Sequence, residues 1–375
     1  MRARRFQSFV DAYTDGLKAD DVRRLFTRDT REAYQFFARN IDDRQTANLR
    51  RPRRLVHRAL LFFMAFTMRL SPARRMLYAA GVLSAVFGLL KLWSARGVAD
   101  GAGWLLLGFV LVNLLILLEV ADRLSLKGDL EVAREIQLAM LPHGRHLTST
   151  VETVGLSRPA NTVGGDFFDV IPLGDGRVAV AVGDVAGKGS PAALLMALLL
   201  AMLRTLVQTM GDGAFDLAAL LSRLNRLVSR HAPGNRFITL FFGVYDPRTG
   251  DLEYVNAGHM PPIVLRGDGP PERLTAGGIA LGMLDLATFT AGRTNVGAHD
   301  LLAMYSDGIS EAESPEGVPF DEHGLIGVLQ AEQAGNLSTI VAAIVRAVEA
   351  HTKEERFADD LTILLLRRTR AGASA

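Results

Sequence analysis

The chain of 375 residues contains no cysteine, so disulfides and thiolate metal sites are excluded, and any metal must be held by oxygen or imidazole. Only two tryptophans occur, Trp93 and Trp104. No GxSxG or comparable nucleophile motif is present, which removes the common covalent hydrolase mechanisms. No early apolar run leads to a small-residue cleavage site, so no signal peptide is expected. Basic stretches lack interleaved aromatics, and nucleic acid is not an expected partner.

What is abundant is apolar surface, at 49% of residues, and an uneven distribution of charge. Residues 1 to 75 carry 18 Lys+Arg against 8 Asp+Glu, which leaves 24 against 32 for the remainder. A basic beginning on an acidic body fits a segment that faces anionic lipid. Residues 1–58 read as a polar, helical cytoplasmic segment, for example across Asp20 to Ile41. Residues 59–118 read as a membrane region: an interfacial helix at about 59–68, then transmembrane helices at about 76–93 and 100–118. Both tryptophans bracket the connecting loop, as an aromatic belt would place them. Eight arginines lie between Arg50 and Arg75 while the 94–103 loop has only Arg96, so both ends of the hairpin are expected in the cytoplasm, at the inner membrane.

Residues 119–142 have the composition of one charged helix, with Leu126, Leu130, Ala133, Gln137 and Met140 approximating a heptad seam. This segment is either a two-stranded coiled coil or a linker helix packed on the next domain. That domain spans about 148–368. Strand-like runs fall at Arg177 to Val185, Thr239 to Tyr245, Leu252 to Asn256, Pro262 to Arg266, Leu301 to Ser306 and Leu361 to Leu366. Helices are expected at about Pro191 to Met210, Phe215 to His231 and Leu337 to His351. The turn chemistry of Asp246-Pro247-Arg248-Thr249-Gly250-Asp251 predicts an antiparallel hairpin, and the whole pattern predicts α+β layers.

Four aspartates close apolar strands: Asp166 in VGGDFFDV, Asp184 in VGDVAGKG, Asp307 in YSDG, and Asp359 or Asp360 in FADDLT. Any one reads equally as a turn residue. Together, at strand ends that a layered core brings into register, they read as an oxygen-ligand site for Mg²⁺ or Mn²⁺. Gly164, Gly165, Gly183, Gly187 and Gly189 would let backbone approach a metal or phosphate. GDVAGKG fails as a P-loop, because three residues rather than four separate Gly183 from Gly187-Lys188, and Gly189 replaces the magnesium-binding hydroxyl. VGGDF departs from the diguanylate cyclase signature, which needs an acid at Phe167. His259 in NAGHMPP is open to three roles: general acid, ligand, or structural histidine at a turn.

The ordered motifs EVAREIQLAMLP, RPANTVGGDFFDV, VGDVAGKGSPAALLMA, FITLFFGVYD, YVNAGHMPP, LLAMYSDGISEA and RFADDLTIL resemble the phosphatase-2C-like metal-dependent protein serine/threonine phosphatases, in the bacterial RsbU and SpoIIE branch, over about Leu130 to Arg368. The resemblance implies a four-layer α-β-β-α sandwich of two antiparallel sheets holding two Mn²⁺ or Mg²⁺ ions. It implies that Asp166 and Asp184 bind or bridge the metals with the Val185 main-chain carbonyl, and that Asp307 and Asp359 complete the shell of the second metal, with Asp360 the less favoured ligand of that pair. A metal-activated water would then attack phosphoserine or phosphothreonine directly. Asp169 and His259 belong to the family pattern without an assigned role. The phosphate-binding arginine of eukaryotic relatives has no clear counterpart before VGGD, Arg158 being a poor substitute, which leaves the phosphate held chiefly by metals.

By the same resemblance, the helix around Leu126 to Leu141 is similar to a dimerising signal linker acting on a switch helix that starts near Pro191. The substrate would be a phosphorylated regulatory protein, of the anti-sigma-factor antagonist type. The alternative is a catalytically weak scaffold that keeps the fold and binds a partner, against which stands the retention of four uncompensated acids.

Overall fold

The computed structural model describes residues 70–93, 98–142, 145–148, 150–209, 216–232, 236–267, 269–353 and 357–369, together with positions 64, 67 and 68. The expected helices before residue 58, and most of the expected interfacial helix, lie outside the described residues. The chain divides into two compact units, Met1–Ser125 and Leu126–Ala375.

In the first unit, helix α1 (Pro72–Trp93) runs antiparallel to the beginning of α2 (Val98–Met140). Small residues set their spacing: a Cβ on Gly88 would stand 2.8 Å from the Gly101 carbonyl oxygen, and one on Gly108 2.7 Å from that of Gly81. Such close approach lets backbones pack where no hydrophobic force between helices is available. Arg74 closes one end, reaching Glu119 at 3.2 Å and Asp122 at 2.6 Å. Outward positions are apolar, Leu83, Leu89, Leu106, Phe109 and Leu117 all lying more than half exposed. The expected second membrane helix and the charged linker form one helix, because the onset of charge at Glu119 changes what the helix faces without removing any backbone hydrogen bond.

By length and composition, three helices among the described residues could cross a membrane: Pro72–Trp93, Gly101–Met140 and Ser190–Thr209. The third belongs to the second unit, where Met196, Leu199, Leu200 and Leu203 are fully buried in the core. Its apolarity is that of a helix covered on one side by a sheet.

Among the described residues the second unit is built on two six-stranded sheets. One has the order β1 (Arg145–Leu147), β2 (Val151–Arg158), β12 (Leu361–Arg368), β11 (Leu301–Tyr305), β7 (Ile263–Leu265), β8 (Glu272–Arg273). The other has β10 (Gly292–Asn295), β6 (Asp251–Ala257), β5 (Ile238–Asp246), β4 (Val178–Val185), β3 (Phe167–Pro172), with β9 (Gly277–Gly278) alongside β6. Helices α3 (Ser190–Thr209) and α4 (Leu217–His231) cover this second sheet, while α6 (Asp321–Glu332) and α7 (Leu337–Thr352) cover the first. Between them the short α5 (Asp307–Ser310) follows β11.

Strand β4 shows why the layers form. Val178, Val180 and Val182 point into the core between sheets, against Met304 and Leu364, while Ala179 and Ala181 face the helices, where small side chains admit α3. The architecture is the expected α-β-β-α sandwich, and the 246–251 turn joins an antiparallel β5–β6 pair. Strands β1 to β3 and β8 to β10 and helices α5 and α6 add to the expected elements. Gly155 in β2 is a packing requirement, since a Cβ there would lie 2.3 Å from the ring of Phe168.

Candidate functional site

The two sheets bring the strand-end aspartates together from two adjacent strand pairs. Asp166 precedes β3 and Asp184 lies near the end of β4, where Phe167 pairs with Gly183. Asp307 follows β11, and Asp359 and Asp360 precede β12, its neighbour. Ser306 ties those two ends: its amide donates to the Thr362 carbonyl at 3.0 Å, and its Oγ accepts from the Thr362 amide at 3.0 Å.

Asp166 is 2% exposed, and its Oδ2 is buried with no hydrogen-bond partner. Burial first, and then the charge of Asp184, hold its carboxyl well above the usual carboxylate range. Asp184 is pushed up to about 6 by burial and the neighbouring Asp307, a hydrogen bond with Asp166 offsetting part of the rise. Asp307 is raised too, through burial and the nearby Glu311 and Asp359. Acids crowded so that each resists ionising are a charge waiting for a cation.

The backbone around them is arranged for close approach. A Cβ on Gly165 would lie 2.8 Å from the Val185 carbonyl oxygen and 3.0 Å from Asp184 Oδ1, and one on Gly164 would meet Asp360 Oδ2 at 2.2 Å. Gly187 and Gly189 serve differently, with φ of +104° and +77° turning the loop that carries Lys188. The Lys188 ammonium reaches Asp359 at 2.9 Å and donates to the Ala358 carbonyl at 3.1 Å.

The two carboxylates of the ADD motif have different partners. Asp360 accepts from the Ala160 amide at 2.8 Å and the Gly165 amide at 2.7 Å, which commits it to holding the VGGD loop. Asp359 is half-exposed and faces Lys188. The donors match a hard cation in kind, all being oxygen, with a buried partnerless oxygen and a glycine cradle beside them. Among the described residues no three acidic or imidazole groups already form a closed metal shell, so side-chain rotation, with Asp359 leaving Lys188, would have to complete one.

Asp169 lies behind the cluster, buried and gripped by Arg204 of α3, whose Nε and Nη2 donate at 2.7 and 3.0 Å. His259 is buried, its Nδ1 3.0 Å from Thr239 Oγ1, which in turn donates to the Asp184 carbonyl at 3.4 Å. Burial pushes its imidazole down to about 4, which favours the neutral form at neutral pH. Arg158 pairs with Glu349 at 2.7 Å and lies over the Phe357 ring, which occupies it away from any phosphate role. Sequence reasoning missed Arg204, Thr239 and Lys188 as site residues. The signal for Lys188 was the GKG tripeptide, set aside once the P-loop was rejected; the other two are distant partners with no local signature.

A cavity of about 570 Å³ opens beside the cluster, lined by Lys188, Gly308, Glu311, Thr352, Lys353 and Asp359. Its mixed charge and open form suit a flexible peptide segment better than a small apolar ligand.

The family described as stage II sporulation protein E (SpoIIE) matches residues 174–369. Protein IcfG of Synechocystis sp. is 31% identical, the match covering 68% of this chain and 44% of that protein. Phosphoserine phosphatase RsbU of Bacillus subtilis is 24% identical, over 65% of this chain and 71% of the relative. The SiaA-PP2C domain of Pseudomonas aeruginosa has a TM-score of 0.57 at 22% identity, covering 66% of this chain and 98% of that domain, and so shares the fold. The chain thus spans less than half the length of IcfG.

Proposed function

Since the chain belongs to the SpoIIE family of phosphatase-2C-type proteins, we propose that it is a membrane-anchored, metal-dependent protein serine/threonine phosphatase. The observation that carries this reading is the buried, partnerless carboxylate oxygen of Asp166 beside acids that each resist ionising.

Asp166 and Asp184, with the Val185 carbonyl, would hold one of two Mn²⁺ or Mg²⁺ ions and share the other with Asp307 and Asp359, leaving Asp360 to fix the loop. Bound ions there would supply Lewis acidity toward the phosphoryl oxygens and a water of lowered pKa. The residues of the chain do the rest. The Asp360 bonds to Ala160 and Gly165 hold the VGGD backbone against β4, and Thr239 supports the Asp184 main chain from below. Lys188, released from Asp359, offers a cation at the rim for the substrate's phosphate, where the arginine of eukaryotic relatives is missing.

The substrate is a phosphorylated regulatory protein, by analogy with relatives named for phosphoserine hydrolysis, and an anti-sigma-factor antagonist is the specific expectation. The α1–α2 hairpin anchors the chain in the inner membrane with its N-terminus and catalytic unit in the cytoplasm, supported by the apolar outward faces and the arginine asymmetry. A homodimer through the helix of residues 119–142, along its exposed part before Gln137, completes the proposal, with no role for nucleic acid. The test is hydrolysis of a phosphoserine peptide by the purified chain with Mn²⁺. Activity that chelation removes, Mn²⁺ restores and Asp184→Asn abolishes supports it, whereas Mn²⁺ binding without turnover of any phosphoester favours a scaffold.

A further inference from the structure

Gln137, in the last turn of α2, is 7% exposed and grips a single backbone residue from both sides. Its Nε2 donates to the Gly164 carbonyl at 3.0 Å, and its Oε1 accepts from the Gly164 amide at 3.2 Å. A primary amide is the neutral side-chain group that donates and accepts side by side, so this pair imitates one rung of a β-ladder. The opposite side of the same loop is fixed by Asp360, through the Gly165 amide at 2.7 Å. Gly164 has no room for a side chain between the two.

The same helix end also reaches the chain beyond Asp166. Arg204, which holds Asp169 through two hydrogen bonds, donates from Nη2 to the Met140 carbonyl at 2.7 Å. Residues 164 and 169 are therefore both referred to the last turn of α2, and Asp166 lies between them. Its Oδ2 has no partner of its own, so the backbone on either side, together with the Ser306, Thr362 and Asp184 side chains that bond the carboxyl, sets where that oxygen points.

We propose that Gln137 is a positioning residue for Asp166, its amide clamp on Gly164 fixing the carboxylate for metal binding. The proposal rests on the phosphatase reading only for its activity readout; its metal-affinity readout stands alone. Removing the clamp leaves both polar groups of Gly164 unpaired in the interior and frees the loop to shift, which loosens the carboxylate. Supporting groups that orient metal ligands typically cost roughly 10- to 100-fold in metal affinity when removed.

The test uses the full chain in detergent, with Mn²⁺ affinity from electron paramagnetic resonance titration, thermal melting in chelator, and hydrolysis of p-nitrophenyl phosphate. Gln137→Met, near-isosteric, unable to donate and only a weak acceptor, is expected to weaken Mn²⁺ binding roughly tenfold or more and to lower kcat at saturating Mn²⁺ with KM little changed. The control is Asn225→Leu, at a fully buried amide bonded to Gly282, Leu284 and Asp285, which should lower the melting temperature and leave Mn²⁺ affinity at the wild-type value. Gln137→Glu gives a second reading that does not depend on Met being tolerated. Its protonated carboxyl can donate and accept as the amide does, so its Mn²⁺ affinity relative to wild type should recover as pH falls from about 8 to about 5.5, whereas the ionised form lacks the donor. Wild-type Mn²⁺ affinity in both variants, or an equal loss in Asn225→Leu, overturns the proposal. If wild type binds Mn²⁺ but hydrolyses no phosphoester, the phosphatase reading fails while the affinity comparison still decides the role of Gln137.

Discussion

Lys188 and Asp359 form the one ion pair within the acid cluster among the described residues, ammonium to carboxylate at 2.9 Å, while Asp166, Asp184 and Asp307 crowd together without an ion pair, only Asp307 feeling the Lys188 charge. The lysine thus occupies an acid that the proposed metal would need. Lys188→Met is expected to tighten Mn²⁺ binding, by no more than about fivefold, because a half-exposed pair is worth about 1 kcal/mol at most. Calorimetric Mn²⁺ titration of the two proteins checks this. The same variant should raise KM for a phosphopeptide if the freed ammonium meets the phosphate.

The crowding also sets a pH dependence. Asp184 titrates near 6 in the folded chain against 3.8 unfolded, so the folded state binds more protons between those values. Stability from this group is therefore full below 3.8 and is lost as pH rises through about 6, by about 3 kcal/mol. Urea denaturation in chelator at pH 4.5 and 7.5 should show Asp184→Asn gaining clearly more stability over wild type at the higher pH than at the lower. Added Mn²⁺ should reverse the order by stabilising wild type.

His259 has the opposite sign. Its folded pKa of about 4 lies below the ordinary 6.5, so its contribution is present above 6.5 and is lost as pH falls toward 4. As a neutral support it cannot deliver a proton near neutrality. His259→Ala is expected to cost about 2–4 kcal/mol in urea denaturation, from a cavity and the loss of one of the Thr239 hydroxyl's two hydrogen bonds, while leaving the acid limb of the kcat–pH profile in place.

The packing of the α1–α2 hairpin is tested by its glycines. Phe87 and Trp104 lie edge to face across the two helices, with ring centroids 5.1 Å apart. In this cysteine-free chain, Phe87→Cys with Trp104→Cys should cross-link with a short bis-maleimide. Adding Gly101→Leu should abolish the cross-link, since a Cβ there already stands 3.0 Å from the Gly88 carbonyl oxygen.

Much of the sandwich was legible because its central strands are written in long apolar runs. In β4 the alternation of valine and alanine names both faces, and in β12 Leu361 to Leu366 is buried throughout. Strand β3 was hidden by its neighbours: VGGD reads as a glycine loop, yet Phe167 and Phe168 point to opposite sides of one sheet, into different cores. Helix α6 was hidden by Gly324 and Gly327. The seam through Gln137 was legible as a face but not as a destination, because its buried end meets the glycine loop within the same chain. Carboxylates at strand ends can be read locally. The Arg204–Asp169 pair and the Thr239 support join residues that are neighbours only after folding.

Counting Mn²⁺ bound per chain by equilibrium dialysis at neutral pH tests the central claim most directly. The account predicts two ions per wild-type chain and a loss of tight binding in Asp184→Asn that remains folded by circular dichroism. Wild-type protein that binds no Mn²⁺ or Mg²⁺, or an Asp184→Asn chain that binds as wild type does, would contradict it.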